Sequence, residues 1–281
     1  MKKIEITTED GYVLSSYLFQ ALEPLEGTLI INSATGVRQQ IYFAFAQYMA
    51  DCGFTTLTYD YRGIGESKPK RMRGFEASMK DWGTKDFVAV SKYLRALDPD
   101  LPMHVVGHSV GALIIGMNPH AREFSRMVFV GTQKAFVGNL NLRTRMMGYL
   151  GFGVVQPLTT RLLGYFPAHR FGLGESLPAG SARNWRTLVL EKESTNLLME
   201  PEQRTYAENL SQEVLVLRAQ DDSWLTDRGV RSLLQETYPN LSPTFRLLKK
   251  TDSPQGEIGH INYFRSYNKT LWSQVEDFLT K

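Results

Sequence analysis

Apolar and polar residues alternate at the start of the chain. In "KIEIT" and "YVLSSYLFQ" the alternation runs on either side of "EDG", which predicts an antiparallel hairpin around a tight turn. The pattern then changes. "GTLIIN" is a short unbroken apolar run, as a strand buried on both faces would be. "QQIYFAFAQYMADCG" spaces its apolar residues at helical intervals and closes on Gly53. "FTTLTY" is β-branched and leads into the glycine-rich "DYRGIGES", "DWGTKDFVAVSKYLRALDP" reads as a helix stopped by Pro99, and "MHVVG" as another strand. A helix from about Val110 and the strand "RMVFVGTQ" follow. Strands that alternate with helices predict an α/β fold with a mostly parallel sheet covered on both faces.

From about residue 135 to residue 209 the alternation lapses. This stretch is rich in Gly, Arg and aromatic residues and predicts helices without clear strands. The earlier rhythm returns with the strand "EVLVLRAQ", the helix "DRGVRSLLQETYP", the strand "TFRLLKK" and the closing helix "SYNKTLWSQVEDFLT". The expected organisation is one core domain, residues 1–134 and 210–281, with residues 135–209 inserted as a helical cap.

Composition narrows this reading. The 281 residues are 42% hydrophobic, enough for one large core, and the net charge of +3 is far from a nucleic-acid-binding signature. The densest basic run, "KPKRMR" at Lys68–Arg73, is read as a solvated loop, with contact to an anionic substrate or surface as the lesser reading. Cys52 is the single cysteine, so an internal disulfide and a cysteine metal cluster are both excluded, and it is expected to pack at a helix end. The two opening lysines lead into a strand rather than an apolar signal segment, and no stretch nears the ~20 apolar residues of a membrane span. A cytoplasmic protein without stable membrane insertion is expected.

The chemistry is expected at "VVGHSVGALIIG". Gly107 and Gly111 flank Ser109 on the seam between strand and helix. That is where a sharp turn leaves no room for side chains on either side and lifts the hydroxyl above the strand ends. Such a serine needs a base, and the base needs an orienting carboxylate, each on a loop after a later strand. Among five histidines, His108 lies inside the turn, His104 lies within its strand, His120 follows a helix, and His169 falls in the insertion. His260, in "GEIGHINYF", stands after a late strand and is the expected base. The acid should follow "EVLVLRAQ", and Asp222 is favoured over Asp221, with Asp227 read as a helix cap. Two amides must hold an oxyanion: Val110, and Ala34 in "NSATGV", with Thr35 as the next position.

Taken together, "GHSVG", "YDYRGIGES", "AQDDSW" and "IGHINYFR" resemble the serine-dependent α/β-hydrolases. The nearest likeness is to a poorly characterised bacterial group related to the monoacylglycerol-lipase and serine-aminopeptidase-like branch. "ATGV" and "GYFPAHRFGLGESLPAG" carry the likeness to that group. Asn32-Ser33 stands where the wider superfamily has His-Gly, which puts the geometry of the oxyanion loop in doubt. The resemblance implies an α/β-hydrolase fold and a serine hydrolase that needs neither cofactor nor metal and acts on a small-molecule acyl substrate. Peptidase, thioesterase and acyltransferase chemistry remain alternatives, as does a degenerate ligand-binding protein. Met146, Met147, Tyr149, Leu150, Phe152, Tyr165 and Phe166 are expected mainly as core of the cap, with Phe152 and Phe166 lining an apolar acyl pocket. The oligomeric state is left open.

Overall fold

The computed structural model describes residues 1–281. The opening alternation forms β1 (Lys2–Thr7) and β2 (Val13–Phe19), antiparallel, with Ile6 opposite Leu14. The next strands are β3 (Gly27–Asn32), β4 (Phe54–Tyr59), β5 (Met103–His108) and β6 (Phe124–Val130). β3, β4 and β5 are buried along their whole length, which is why they read as continuous β-branched or apolar runs. A short ribbon, β7 (Tyr165–Phe166) and β8 (Leu177–Pro178), lies apart, and β9 (Glu213–Ala219) and β10 (Ser242–Leu248) complete the set. The main sheet has eight strands in the order β1-β2-β4-β3-β5-β6-β9-β10. All neighbours from β4 to β10 pair in parallel, and only β1–β2 and β2–β4 are antiparallel.

Helices cover both faces of the sheet. On one side α1 (Phe43–Asp51) contributes Phe45 and Met49 to a core completed by Trp272 and Val275 of the C-terminal segment. On the other side α2 (Met79–Asp81) runs through a π turn into α3 (Phe87–Leu97), and Trp82, Phe87 and Leu94 face the sheet. α4 (Val110–Leu113) is a single turn after β5. Between β6 and β9 come α5 (Leu142–Leu150), α6 (Gln156–Leu163), α7 (Ala179–Leu190), α8 (Thr195–Leu198) and α9 (Pro201–Glu208). α10 (Asp227–Glu236) and α11 (Ser273–Leu279) flank the last strand. Cys52 caps the end of α1, partly buried. No helix is long and apolar enough to cross a membrane.

The segment between β6 and β9 departs from expectation in two ways. It contains the β7–β8 ribbon, which pairs only two residues per strand and leaves too short a trace for any periodicity. Its own hydrophobic core is small, gathering Val137, Leu140, Phe152 and Val189, while Met146, Met147, Tyr149 and Leu150 are exposed to solvent. The expectation that these four pack as core is corrected: they lie on the outer side of their helix. Toward the sheet, the segment is fastened to loops at the carboxyl ends of the strands. Glu175 N–H donates to the Gly36 carbonyl at 2.7 Å, and Ser181 N–H donates to the Ala77 carbonyl at 2.9 Å.

Candidate active site

Ser109 follows β5 directly with φ 52° and ψ −116°, a left-handed backbone that costs a non-glycine residue of order 1–3 kcal/mol. The walls of the turn explain the glycines. A Cβ on Gly107 would come within 2.5 Å of the Ala112 backbone, and one on Gly111 within 2.2 Å of the Asn32 carbonyl oxygen. The turn is braced by the Ser109 N–H donating to Val130 O at 2.9 Å and by the Thr132 hydroxyl donating to Ser109 O at 2.9 Å. Val110 N–H opens α4, where a helix has no internal acceptor for its first amides. Ser194 has a similar backbone, φ 48°, but it is buried and its hydroxyl donates to Leu188 O, so its strain serves packing.

The loops after β9 and β10 meet at the same end of the sheet. His260 Nδ1 lies 2.6 Å from Asp222 Oδ2, and Asp222 is buried while the imidazole is partly open. An ionised carboxylate only accepts, so Nδ1 carries the proton and the Nε2 lone pair is free. The second Asp222 oxygen accepts the Trp224 N–H at 3.0 Å. Asp221 points elsewhere, accepting the N–H groups of Ile258 and Gly259 at 3.0 and 2.9 Å. Desolvation pushes the Asp221 carboxyl up, but those amide bonds outweigh it and hold the carboxyl below the usual carboxylate range. The two neighbouring aspartates thus have different partners: one takes the imidazole, the other the loop that carries it.

His260 is brought to the corner of Ser109 through Gly131, whose added Cβ would touch His260 Cε1 at 3.5 Å. The bond from Ser109 Oγ to His260 Nε2 is not formed. Catalytic hydrogen bonds are often loose before substrate is bound.

His108, between Gly107 and Ser109, is fully buried and uses both ring nitrogens. Nε2 lies 2.8 Å from the His260 carbonyl oxygen, which can only accept, so Nε2 carries the hydrogen. Nδ1 then accepts from the Tyr42 hydroxyl at 2.8 Å, and the Tyr42 oxygen accepts the Ala34 N–H at 2.9 Å. Burial, and after it the neighbouring His260, keep His108 neutral far below the ordinary histidine range. A continuous chain of hydrogen bonds therefore links the loop after β3 to the backbone of the histidine loop. Sequence reasoning set His108 aside because its position in the turn turns it from the hydroxyl, and it missed Tyr42 altogether. The only available signal was an aromatic hydroxyl one helical turn beyond the loop.

The same chain involves Ala34, the expected oxyanion donor. Ala34 is buried and its N–H is committed to Tyr42. Thr35, the next position, is half-buried, and its N–H has no acceptor within the chain. Asn32-Ser33 does not leave the loop loose. The Asn32 amide donates to Gly111 O at 3.2 Å and accepts from the Tyr59 hydroxyl at 2.8 Å, while Ser33 O accepts from Tyr61 at 3.0 Å.

The "YDYRGIGES" motif is structural in its charges. Asp60 accepts the amides of Gln39 and Glu66 at 2.8 and 2.9 Å, and Arg62 bridges buried Asp86 at 2.6 Å to Asp10 at 2.8 Å. Phe152 and Phe166, expected to line an acyl pocket, are both buried in packing contacts. Phe152 is buried against Trp185, with ring centroids 5.0 Å apart, and Phe166 belongs to the main core and stacks on Phe171. His104, His120 and His169 lie elsewhere; the last two pair with Glu123 and Ser176. No three His, Cys, Asp or Glu side chains are gathered as a metal site would require.

Comparison with known proteins adds the following. Residues 23–145, less than half of the chain, match the family described as serine aminopeptidase, S33. No curated protein matches the chain. Among solved structures, a soluble variant of monoglyceride lipase from Saccharomyces cerevisiae, in complex with a substrate analog, is similar with TM-score 0.71 and 15% identity. That match covers 99% of this chain and 96% of the other. A Pyrococcus furiosus esterase is similar with TM-score 0.63 and 17% identity, covering 99% and 90%. A thermostable carboxyl esterase from Bacillus coagulans, in complex with glycerol, gives 0.67 and 13%, covering 99% and 97%. At these identities the likeness is one of fold, and the chain has the α/β-hydrolase fold the resemblance implied.

Proposed function

We propose that this α/β-hydrolase-fold chain is a serine hydrolase that cleaves an ester or related acyl bond through Ser109, His260 and Asp222. The observation that carries the proposal is the strained Ser109 turn at the same end of the sheet as the 2.6 Å His260–Asp222 pair. The esterases and the lipase among its structural neighbours favour ester chemistry. In the first step Ser109 Oγ attacks the acyl carbon and its proton passes to His260 Nε2. Asp222 holds the Nδ1 tautomer and balances the imidazolium charge. The tetrahedral oxyanion is held by the amides of Val110 and Thr35. His260 then returns the proton to the leaving alcohol, and water attacks the acyl-enzyme by the reverse sequence.

Residues 135–209 act as a cap over this site, inserted in a core of residues 1–134 and 210–281. Its loop around Glu175 leans on Gly36 beside the oxyanion amides, which makes it the natural wall of the acyl site. The S33 description of residues 23–145 favours one second reading, an aminopeptidase using the same three residues. A fluorophosphonate should add once, at Ser109, and Ser109→Ala should abolish the adduct; no adduct on folded protein defeats the triad. A panel of acyl esters and aminoacyl amides then separates the two readings.

A further inference from the structure

The helix that leads the inserted segment is inside out. α5, one π turn and α6 run continuously from Leu142 to Leu163. Gly148, Phe152, Gln156 and Thr160, four residues apart, form the buried side. Two of them are polar, and the side-chain polar atoms of Gln156 and Thr160 have no hydrogen-bond partner. Leu142, Met146, Leu150, Val154, Leu158 and Leu162 form a second row at the same spacing, offset by two residues and so on the opposite face. Their exposures run from 48% at Val154 to 73% at Leu162. A continuous apolar row of this kind on a protein surface marks an interaction face.

Charge identifies the occupant. From residue 124 to residue 174 the chain contains no aspartate or glutamate. Arg143, Arg161 and Arg170 are exposed there, and their guanidinium groups form no ion pair or hydrogen bond within the chain. The basic loop 68–73 adjoins the end of this helix, since a Cβ on Gly164 would come within 2.9 Å of the Arg73 side chain. Lys70, Arg71 and Arg73 are likewise exposed and unpaired, whereas Lys68 is held by Glu175. A second copy of the chain fits this face poorly, because docking two such rows would bring unneutralised cations together.

We propose that the outer face of residues 142–163, with the loop 68–73, is a docking surface for an anionic lipid bilayer. The apolar row sinks into the headgroup region and the unpaired cations lie against acidic lipid. The association is reversible adsorption of a helix lying in the interface. Docking itself involves no catalysis and stands apart from the reading of Ser109.

Flotation of the full chain with vesicles tests it, using phosphatidylcholine alone and phosphatidylcholine mixed with phosphatidylserine. The chain should float with the mixed vesicles, and less so as salt is raised, since screening weakens exposed charge pairing. The exposed double variant Leu150→Ser/Leu158→Ser should lose at least about tenfold in partitioning. Lys70→Glu/Arg71→Glu should lose the preference for phosphatidylserine. Both variants should keep the wild-type melting temperature and the fluorophosphonate adduct at Ser109, which separates failed docking from a failed active site. Absence of vesicle binding overturns the proposal, as do variants that bind like wild type. So does a wild-type dimer in light scattering that Leu150→Ser/Leu158→Ser dissociates.

Discussion

His108 Nε2 donates to the backbone carbonyl of His260 across 2.8 Å, so a buried histidine in the serine turn holds the loop of the histidine beside it. The bond runs backbone to side chain and leaves the His260 ring free for Asp222 and for the serine. In the proposed mechanism His108 is a positioning residue. His108→Leu should lower kcat by about 10²-fold with little change in KM, the scale expected for a misplacement near 1 Å. His108→Gln, which keeps an N–H donor at similar reach, should recover part of the loss. Equal loss in both variants would show that the donor is not what matters.

Asp221 and Asp222 should separate by readout. Asp222→Asn should cost about 10⁴-fold in kcat, because the amide favours the wrong imidazole tautomer. Asp221→Asn removes a charged acceptor from two amides and should appear mainly in stability, as a loss of roughly 1.5–3 kcal/mol in denaturant unfolding. Steady-state rates and unfolding midpoints on both variants check the split. Reversal of the two signatures would exchange the roles.

The second oxyanion donor is tested by removing one N–H. Thr35→Pro should reduce kcat by about 10²–10³-fold while the Tyr42–Ala34 bond stays in place. Its melting temperature should remain close to wild type, which distinguishes a lost donor from a collapsed loop. Wild-type turnover in Thr35→Pro would return the role to another amide.

His104 gives the fold a pH dependence. It is buried in β5, neither ring nitrogen has a partner, and burial followed by the Arg126 charge pushes its pKa down to about 4. Unfolded, it takes up a proton near 6.5, so between pH 6.5 and about 4 the unfolded chain binds more protons. Stability is therefore full above 6.5 and falls with pH through that window, by up to roughly 3 kcal/mol from this residue. His104→Leu should flatten the dependence of the melting temperature on pH across the window. A slope unchanged from wild type would assign the acid sensitivity to other groups.

Much of the fold was legible because it is written locally. The buried strands β3, β4 and β5 announce themselves as short apolar or β-branched runs, and Gly107 and Gly111 mark a turn whose walls, Ala112 and Asn32, tolerate no Cβ. Chain order alone placed a serine, an acidic loop and a histidine after β5, β9 and β10, at one end of the sheet. The sequence could not show that the Ala34 N–H is taken by the hydroxyl of Tyr42, delivered by the turn that leads into α1. Nor could it show that His108 braces the loop of His260, a contact across 152 positions. The clearest limit is the helix from Leu142 to Leu163. Its spacing reveals two opposite faces, but periodicity carries no sign. An apolar row turned to the core and one turned to solvent are the same pattern, and only packing against the rest of the chain puts Leu150 outside and Gln156 within.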